Sequence, residues 1–385
     1  MIPTASIGMP LAASINSRPS DDLALNTQSH GEVLHPPLKR RILCVCDPRP
    51  GQTSGYRLRA FQRLGQDVIP FDVSAYEPRS RILSALRFRL PSGPLIYRVN
   101  RDLLNSVRQH KPDVVWFDKP VHFTKNTILE IKAGGAQTVC YNQDNPFGPR
   151  KDPGWLQFHR IFRLFDLHCL LRTVDIPRYS RWGLPWIKVL LSYEPTVHFP
   201  PPPGWSDDRR TRGVSYVGSP YEDRPKFLQR LVEGHLPVVI SGPRWRKFLP
   251  PEFLARYLSH DYLADSDYRE AIWQSRINLS FVTQLNEEDI GHKSMEIAAC
   301  QGFLLALRTA GHQAAFDEDR EAVFFSSLEE CAEKCHFYLD HPRLREDIAL
   351  RGRQRAVRSG YDNDTQLAKV LRRLDGSDQG ADAEG

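Results

Sequence analysis

A chain of 385 residues is longer than one ordinary core organises and suits two domains of roughly 150–200 residues each. With 41% hydrophobic and 25% charged residues it reads as globular, and no window approaches the roughly 18 uninterrupted apolar residues of a membrane span. A formal net charge of +6 permits anionic partners such as nucleotides or membrane surfaces, is too mild to demand nucleic acid, and none is expected.

Residues 1–38 are rich in Ser, Pro, Asn and Asp without periodicity, which predicts a disordered N-terminal segment. Its start, "MIPTASIGMPLAASINSRPSDD", has neither a positive n-region nor a sustained apolar h-region, so the expectation is a cytoplasmic protein. The end, 375–385, predicts a disordered tail on the same grounds. Seven cysteines, an odd number with no CxxC pair, predict reduced and mostly buried thiols. The 13 histidines show no HExxH and no zinc-like pairing with cysteine, and no metal or other cofactor is expected.

Short β-branched runs then alternate with longer amphipathic runs, the pattern of βα units and parallel sheets. "RILCVC" (41–46), "DVIPF" (67–71), "DVVWF" (113–117), "QTVCY" (137–141), "DLHCLL" (166–171) and "IKVLL" (187–191) predict a first sheet in a domain over 39–192. "GVSYVG" (213–218), "LPVVISG" (236–242), "RINLSFV" (276–282), "GFLLAL" (302–307) and "AVFF" (322–325) predict a second sheet in a domain over 211–374. Four consecutive prolines in 193–210 can neither join a sheet nor continue a helix, so this stretch is read as a stiff linker and hinge. The fold class is α/β, two Rossmann-like domains with parallel sheets facing across a cleft. Ligands in such sheets bind beyond the carboxyl ends of the strands.

Those ends supply the candidates. After the first strand, "DPRPGQTSGYR" is a Gly/Ser/Thr-rich turn into a helix, where Gln52, Thr53, Ser54 and Arg57 could hold sugar hydroxyls on an acceptor side. It is neither GxGxxG nor GxxxxGK[ST], and a plain βα turn is an equal reading. "DKPVH" and "YNQDNPFG" place His122 and Asp144 at other strand ends as candidate bases. A structural histidine and an ordinary turn are the competing readings. In the second set, Gly218 closes one strand with Ser219 just beyond it, and Arg244 follows another beside Arg246 and Lys247, where a pyrophosphate would want cations and a solvated surface cluster is an equal reading. Of three DxD-like triplets, 265–267 and 362–364 read as helix caps and 317–319 as a charged loop. Arg79, Arg81, Arg87, Arg89 and Arg98 occur between Pro78 and Asn100 without an acid; a solvated face is favoured there, with a peripheral contact to anionic membrane kept open.

The segment "NEEDIGHKSMEIAACQGFLLA" (286–306) puts Glu288 eight positions before Glu296. Asp289-Ile290-Gly291 breaks the chain, and a helix is expected to start near His292. Its first amides, with His292 and Lys293, favour an anion, and a carboxylate one turn in can accept two hydrogen bonds from a vicinal diol such as a ribose. A capping box with a salt-bridged helix is the competing reading.

The second domain resembles the group-1 glycosyltransferase family, with its Glu-x7-Glu, small-residue helix and strand. More closely, "GQTSGYR", "YNQDNPFG", "YVGSPYEDR", "RINLSFV", "KSMEIAACQGFLLALRT", "FDEDREAVFF" and "EECAEKCHFYLDHPRLREDIALRGRQR" resemble CgeB-like glycosyltransferases over roughly 41–360. The resemblance implies a GT-B fold: a nucleotide-sugar donor held mainly by the second domain, an acceptor (glycan, polysaccharide or lipid-linked) held mainly by the first, and usually no metal. It implies that Glu296 binds the donor ribose, with Glu288 at the first-glutamate position. Lys293 and Met295 depart from the Arg and aromatic usual there. The activity expected is transfer of a sugar to a hydroxyl; a nucleotide-sugar epimerase and a non-catalytic partner on the same fold are the alternatives.

Overall fold

The computed structural model describes residues 37–78, 80, 92–149 and 153–376. Six strands, β1 (Arg41–Cys46), β2 (Asp67–Asp72), β3 (Val114–Asp118), β4 (Gln137–Tyr141), β5 (Leu167–Leu170) and β6 (Trp186–Lys188), form a parallel sheet in the order β2-β1-β3-β4-β5-β6. Helices cover both faces, so its strands are continuous apolar runs; Ile42 to Val45 are all fully buried.

A second parallel sheet holds β7 (Arg212–Val217), β8 (Val238–Ser241), β9 (Leu258–His260), β10 (Ser275–Ser280), β11 (Leu304–Leu307) and β12 (Val323–Phe325) in the order β12-β11-β10-β7-β8-β9. The sixth strand, β9, was not expected from the sequence. At three residues, two of them Ser and His, it carries no apolar run and exists by pairing with β8.

Two expectations are corrected at their margins. The helix Asn363–Leu374, placed in the second domain by sequence, packs Leu367, Val370 and Leu371 against Ile42, Cys44 and Phe61 of the first sheet's core. The expected disordered ends reach too far inward. Leu38 N donates to Asp375 at 3.0 Å and Arg40 pairs with Asp375 at 2.7 Å, while residues 1–36 and 377–385 lie outside the described residues. The proline-rich connection is tied to the rest of the chain at both ends: Tyr193 N donates to Tyr361 O at 3.1 Å, and the Trp205 indole N–H donates to Trp273 O at 3.2 Å.

Candidate functional site

Each sheet has a point where the strand order reverses, and there the loops leaving adjacent strands diverge and open a crevice. In the first sheet it lies between β1 and β3, at 47–57 and 119–122. In the second it lies between β7 and β10, at Gly218-Ser219 and 281–291. Gly218 has no room for a side chain: a Cβ would stand 2.5 Å from the Tyr216 hydroxyl. Its N–H donates to Ser241 O at 2.8 Å, and its carbonyl accepts from the Trp245 indole at 2.9 Å. Ser219 receives a long bond, 3.4 Å, from Arg244, whose guanidinium donates to the Tyr221 hydroxyl at 2.8 Å.

The two rims meet directly. Asn145 N donates to Asn286 Oδ1 at 2.6 Å, and its side-chain amide donates to Glu287 at 2.7 Å. Asp289 accepts from Thr173 N (2.5 Å), Thr173 Oγ1 (2.7 Å) and Lys188 Nζ (3.1 Å). The Tyr56 hydroxyl donates to Asp265 at 2.6 Å, so the 265–267 triplet does not cap its helix as expected; Asp265 instead ties the two sheets' elements together. Asp362 does cap, accepting from Thr365 N at 2.7 Å.

Between the rims lies a cleft of about 480 Å³, lined by Lys119, Asp144, Asn145 and Trp155 from the first sheet's loops and by residues including Tyr221, Phe248, Leu285 and Glu288 from the second. Glu288 accepts from Thr283 N (2.7 Å) and from the Asn286 amide (2.8 Å), both neutral donors. Asp144 pairs with Lys119 at 2.5 Å. His122 is half-buried and is not among the lining residues.

Glu296 lies elsewhere, 5% exposed. Its carboxylate is 3.6 Å from His292 Nε2 and 3.8 Å from His198 Nε2. The His198 Nδ1 accepts from Glu194 N at 3.1 Å, which leaves Nε2 as the protonated nitrogen facing Glu296. His292 Nε2 donates to Ser192 O at 2.9 Å. Burial alone would raise the Glu296 pKa, but His292, His198 and Lys293, with the Tyr268 hydroxyl, hold it down to about 2. The Lys293 ammonium sits 4.4 Å over the Tyr268 ring, and burial lowers its pKa against the pull of Glu296. The structure therefore brings Glu296, His292 and Lys293 together at the start of the helix His292–Ala299, and puts Glu288 on the open side.

Of the acceptor-side candidates, Thr53 donates to Gln143 at 3.1 Å and Ser54 to Asp47 O at 2.8 Å, while Gln52 precedes the helix Thr53–Arg63 without capping it. Arg57 does not face a ligand. It is buried in an ion pair with Asp118 at 2.5 Å, with its guanidinium 4.1 Å from the Tyr141 ring centre. Sequence reading missed Asp265 and Asp289, whose partners are more than 100 residues away, His198, whose partner Glu296 is 98 positions on, and the aromatic cleft lining of Trp155, Tyr221 and Phe248. Among the described residues no group of three or more His, Cys, Asp or Glu is arranged to hold a metal ion. None of the described helices is long and apolar enough to cross a membrane. Four of the arginines proposed for a membrane face, Arg79, Arg81, Arg87 and Arg89, lie outside the described residues, and Arg98 pairs with Asp102 at 3.6 Å.

With this geometry in view, residues 224–372 match a family model described as glycosyl transferase-like. No curated protein matches the chain. Solved structures share the fold: sucrose-phosphate synthase of Thermosynechococcus elongatus (TM-score 0.63, 11% identity) and Anabaena HepE in complex with UDP-glucose (0.60, 11%) each cover 88% of this chain and 100% of their own. A glycosyltransferase of Rickettsia africae follows at 0.55 and 12%, covering 89% of this chain and 100% of its own. The fold is GT-B.

Proposed function

We propose that the chain transfers a sugar from a nucleoside-diphosphate donor to a hydroxyl acceptor held in the cleft between its sheets. The observation that carries this reading is that cleft: it lies at the carboxyl ends of two parallel sheets and takes its lining from both, inside a fold whose second half matches a glycosyl transferase-like family. HepE, solved with UDP and with UDP-glucose, supports a uridine-type donor as the first to try.

In this reading the helix start at His292–Lys293 takes the diphosphate, whose negative charge grows as the glycosidic bond breaks. Fixed amides and cations there lower the barrier because they need no reorientation. Glu296, already ionised, accepts from the ribose hydroxyls, and Arg244 reaches the donor from the other side. Asp144 is the candidate base that the cleft presents to an acceptor hydroxyl if the reaction inverts the anomeric centre. The CgeB-like group is the finer family reading, supported by the motifs from 268 to 355.

Incubation with a panel of nucleoside-diphosphate sugars tests the activity. Slow release of nucleoside diphosphate and free sugar, accelerated by an acceptor, is the expected result. An epimerised nucleotide-sugar, or no turnover with any donor, overturns it. Donor binding is checked by thermal shift, since a ligand at about 100 times its Kd adds roughly 2.7 kcal/mol.

A further inference from the structure

The polar groups of the cleft are largely spoken for by one another. Both Glu288 oxygens accept bonds from within the chain, Glu222 accepts from Leu285 N at 2.9 Å, Asp144 is paired with Lys119, and the Tyr221 hydroxyl with Arg244. What the same cleft leaves uncovered is apolar: Phe248 is 55% exposed, Leu285 50% and Tyr221 41%. Large apolar side chains held against water in a concave site favour a ligand that carries apolar surface of its own.

We propose that the acceptor is an amphipathic molecule, a hydroxyl-bearing group joined to an alkyl or aryl portion, with Phe248 and Leu285 holding the apolar portion. This rests on reading the cleft as the acceptor's site. The other apolar face on offer, the donor's base, fits less well. A flat base stacks on a ring face, which Leu285 lacks. Leu285 also stands at the seam with the first sheet's rim, its carbonyl only 3.2 Å from where a Cβ of Gly148 would be. A carbohydrate without an apolar portion would be met by the Asp144–Lys119 pair and would leave Phe248 and Leu285 wet. The ionic groups do not ask for a strongly anionic acceptor either: Glu222, Glu288 and Asp144 line the cleft against Lys119.

Titration of the full chain with octyl and methyl β-glucoside, the octyl compound below its micelle concentration, tests this by binding alone. The octyl compound should bind about tenfold more tightly or better. In the double variant Phe248→Ser, Leu285→Ser the advantage should shrink to about twofold or less, with the melting temperature unchanged because both side chains are exposed. A remote control, Phe337→Ser with Val357→Ser, should keep the full advantage. Equal binding of the two glucosides by the parent chain overturns the proposal, as does an advantage that survives the double variant or vanishes in the remote control. Loss of nucleoside-diphosphate affinity in place of the octyl advantage overturns it in favour of a donor role for these side chains. Absence of turnover with every donor would instead defeat the transferase reading, and the binding comparison would still decide this one.

Discussion

Glu288 and Glu296 stand on one short segment, yet the chain treats them as different chemical groups. Glu288 faces the cleft and is satisfied by a backbone amide and an asparagine, with no ion-pair partner among the described residues. Glu296 is enclosed by two histidines, a lysine and a tyrosine, and its charge is what the enclosure is built around. A carboxylate held by neutral donors can be exchanged for an amide at small cost. One buried beside the Lys293 ammonium cannot, because its removal leaves that ammonium without its counter-charge.

The largest effect is therefore expected at Glu296. A folded-state pKa held down to about 2, against an ordinary value of 4.5, means that the ionised form of Glu296 stabilises the fold. Because the folded pKa is depressed, this contribution is present above pH 4.5 and is lost as pH falls from there toward 2. Glu296→Gln should be less stable than the parent in urea unfolding at pH 7, by about 1.5–3 kcal/mol for a lost charge-assisted hydrogen-bonding group, and the gap to the parent should close over that acid window. If the carboxylate also binds the ribose, nucleoside-diphosphate affinity should fall roughly 10- to 150-fold for the folded variant. Stability that falls while affinity stays within about twofold would leave Glu296 a structural group only.

Asp289, between the two glutamates in sequence, belongs to neither class. It spends its carboxylate on Thr173 and Lys188 across the seam. Asp289→Ala should cost about 1–2 kcal/mol, since the three bonds are partly exposed. A double-mutant cycle with Thr173→Ala should show coupling of about 0.5 kcal/mol or more; strict additivity would mean that the seam is not held there.

How much of this was legible follows from where each residue's partners lie. The strands β1, β4 and β7 were readable because a strand buried on both faces must be an apolar run, and that is a local property. The strand β9 was not, because three residues carry no period. Glu296 was found from its helix, but its partner His198 sits in the proline-rich connection, 98 positions upstream, and no local pattern links them. Arg57 was misplaced for the same reason. An arginine in a Gly/Ser/Thr-rich turn looks available until Asp118 arrives from another strand and buries it. The described chain extends into both stretches read as ends, because the side-chain partners that hold Leu38 and Asp375 lie more than 300 positions away.

At Glu288 the expected effect on stability is small. Gln at this position keeps an acceptor for Thr283 N but sets its own NH2 against that of Asn286, whose Oδ1 is held by Asn145 N, so one hydrogen bond is lost at a cost of about 0.5–1.5 kcal/mol. Since Glu288 lines the cleft, the change should appear in turnover, with kcat reduced and nucleoside-diphosphate affinity held within about twofold. A variant that unfolds like Glu296→Gln would erase the distinction between the two carboxylates.

The smallest effect is expected from removing divalent metal. The site at the start of the helix His292–Ala299 already gathers cationic character: Lys293, His292 and the free amides of the first turn, with Arg244 on the neighbouring loop. On the proposed reading, a diphosphate leaving group would carry its charge on oxygens that such groups can contact directly. If those groups suffice, turnover in EDTA should equal turnover in added magnesium or manganese to within about twofold. The same assay on Lys293→Met then sharpens the point, because a chain that neutralises the diphosphate with its own cation should lose turnover that no metal restores. Loss of all activity in EDTA, recovered by manganese, would move the charge balance from Lys293 to a bound ion and would make the acidic cleft around Glu288 the place to look for it.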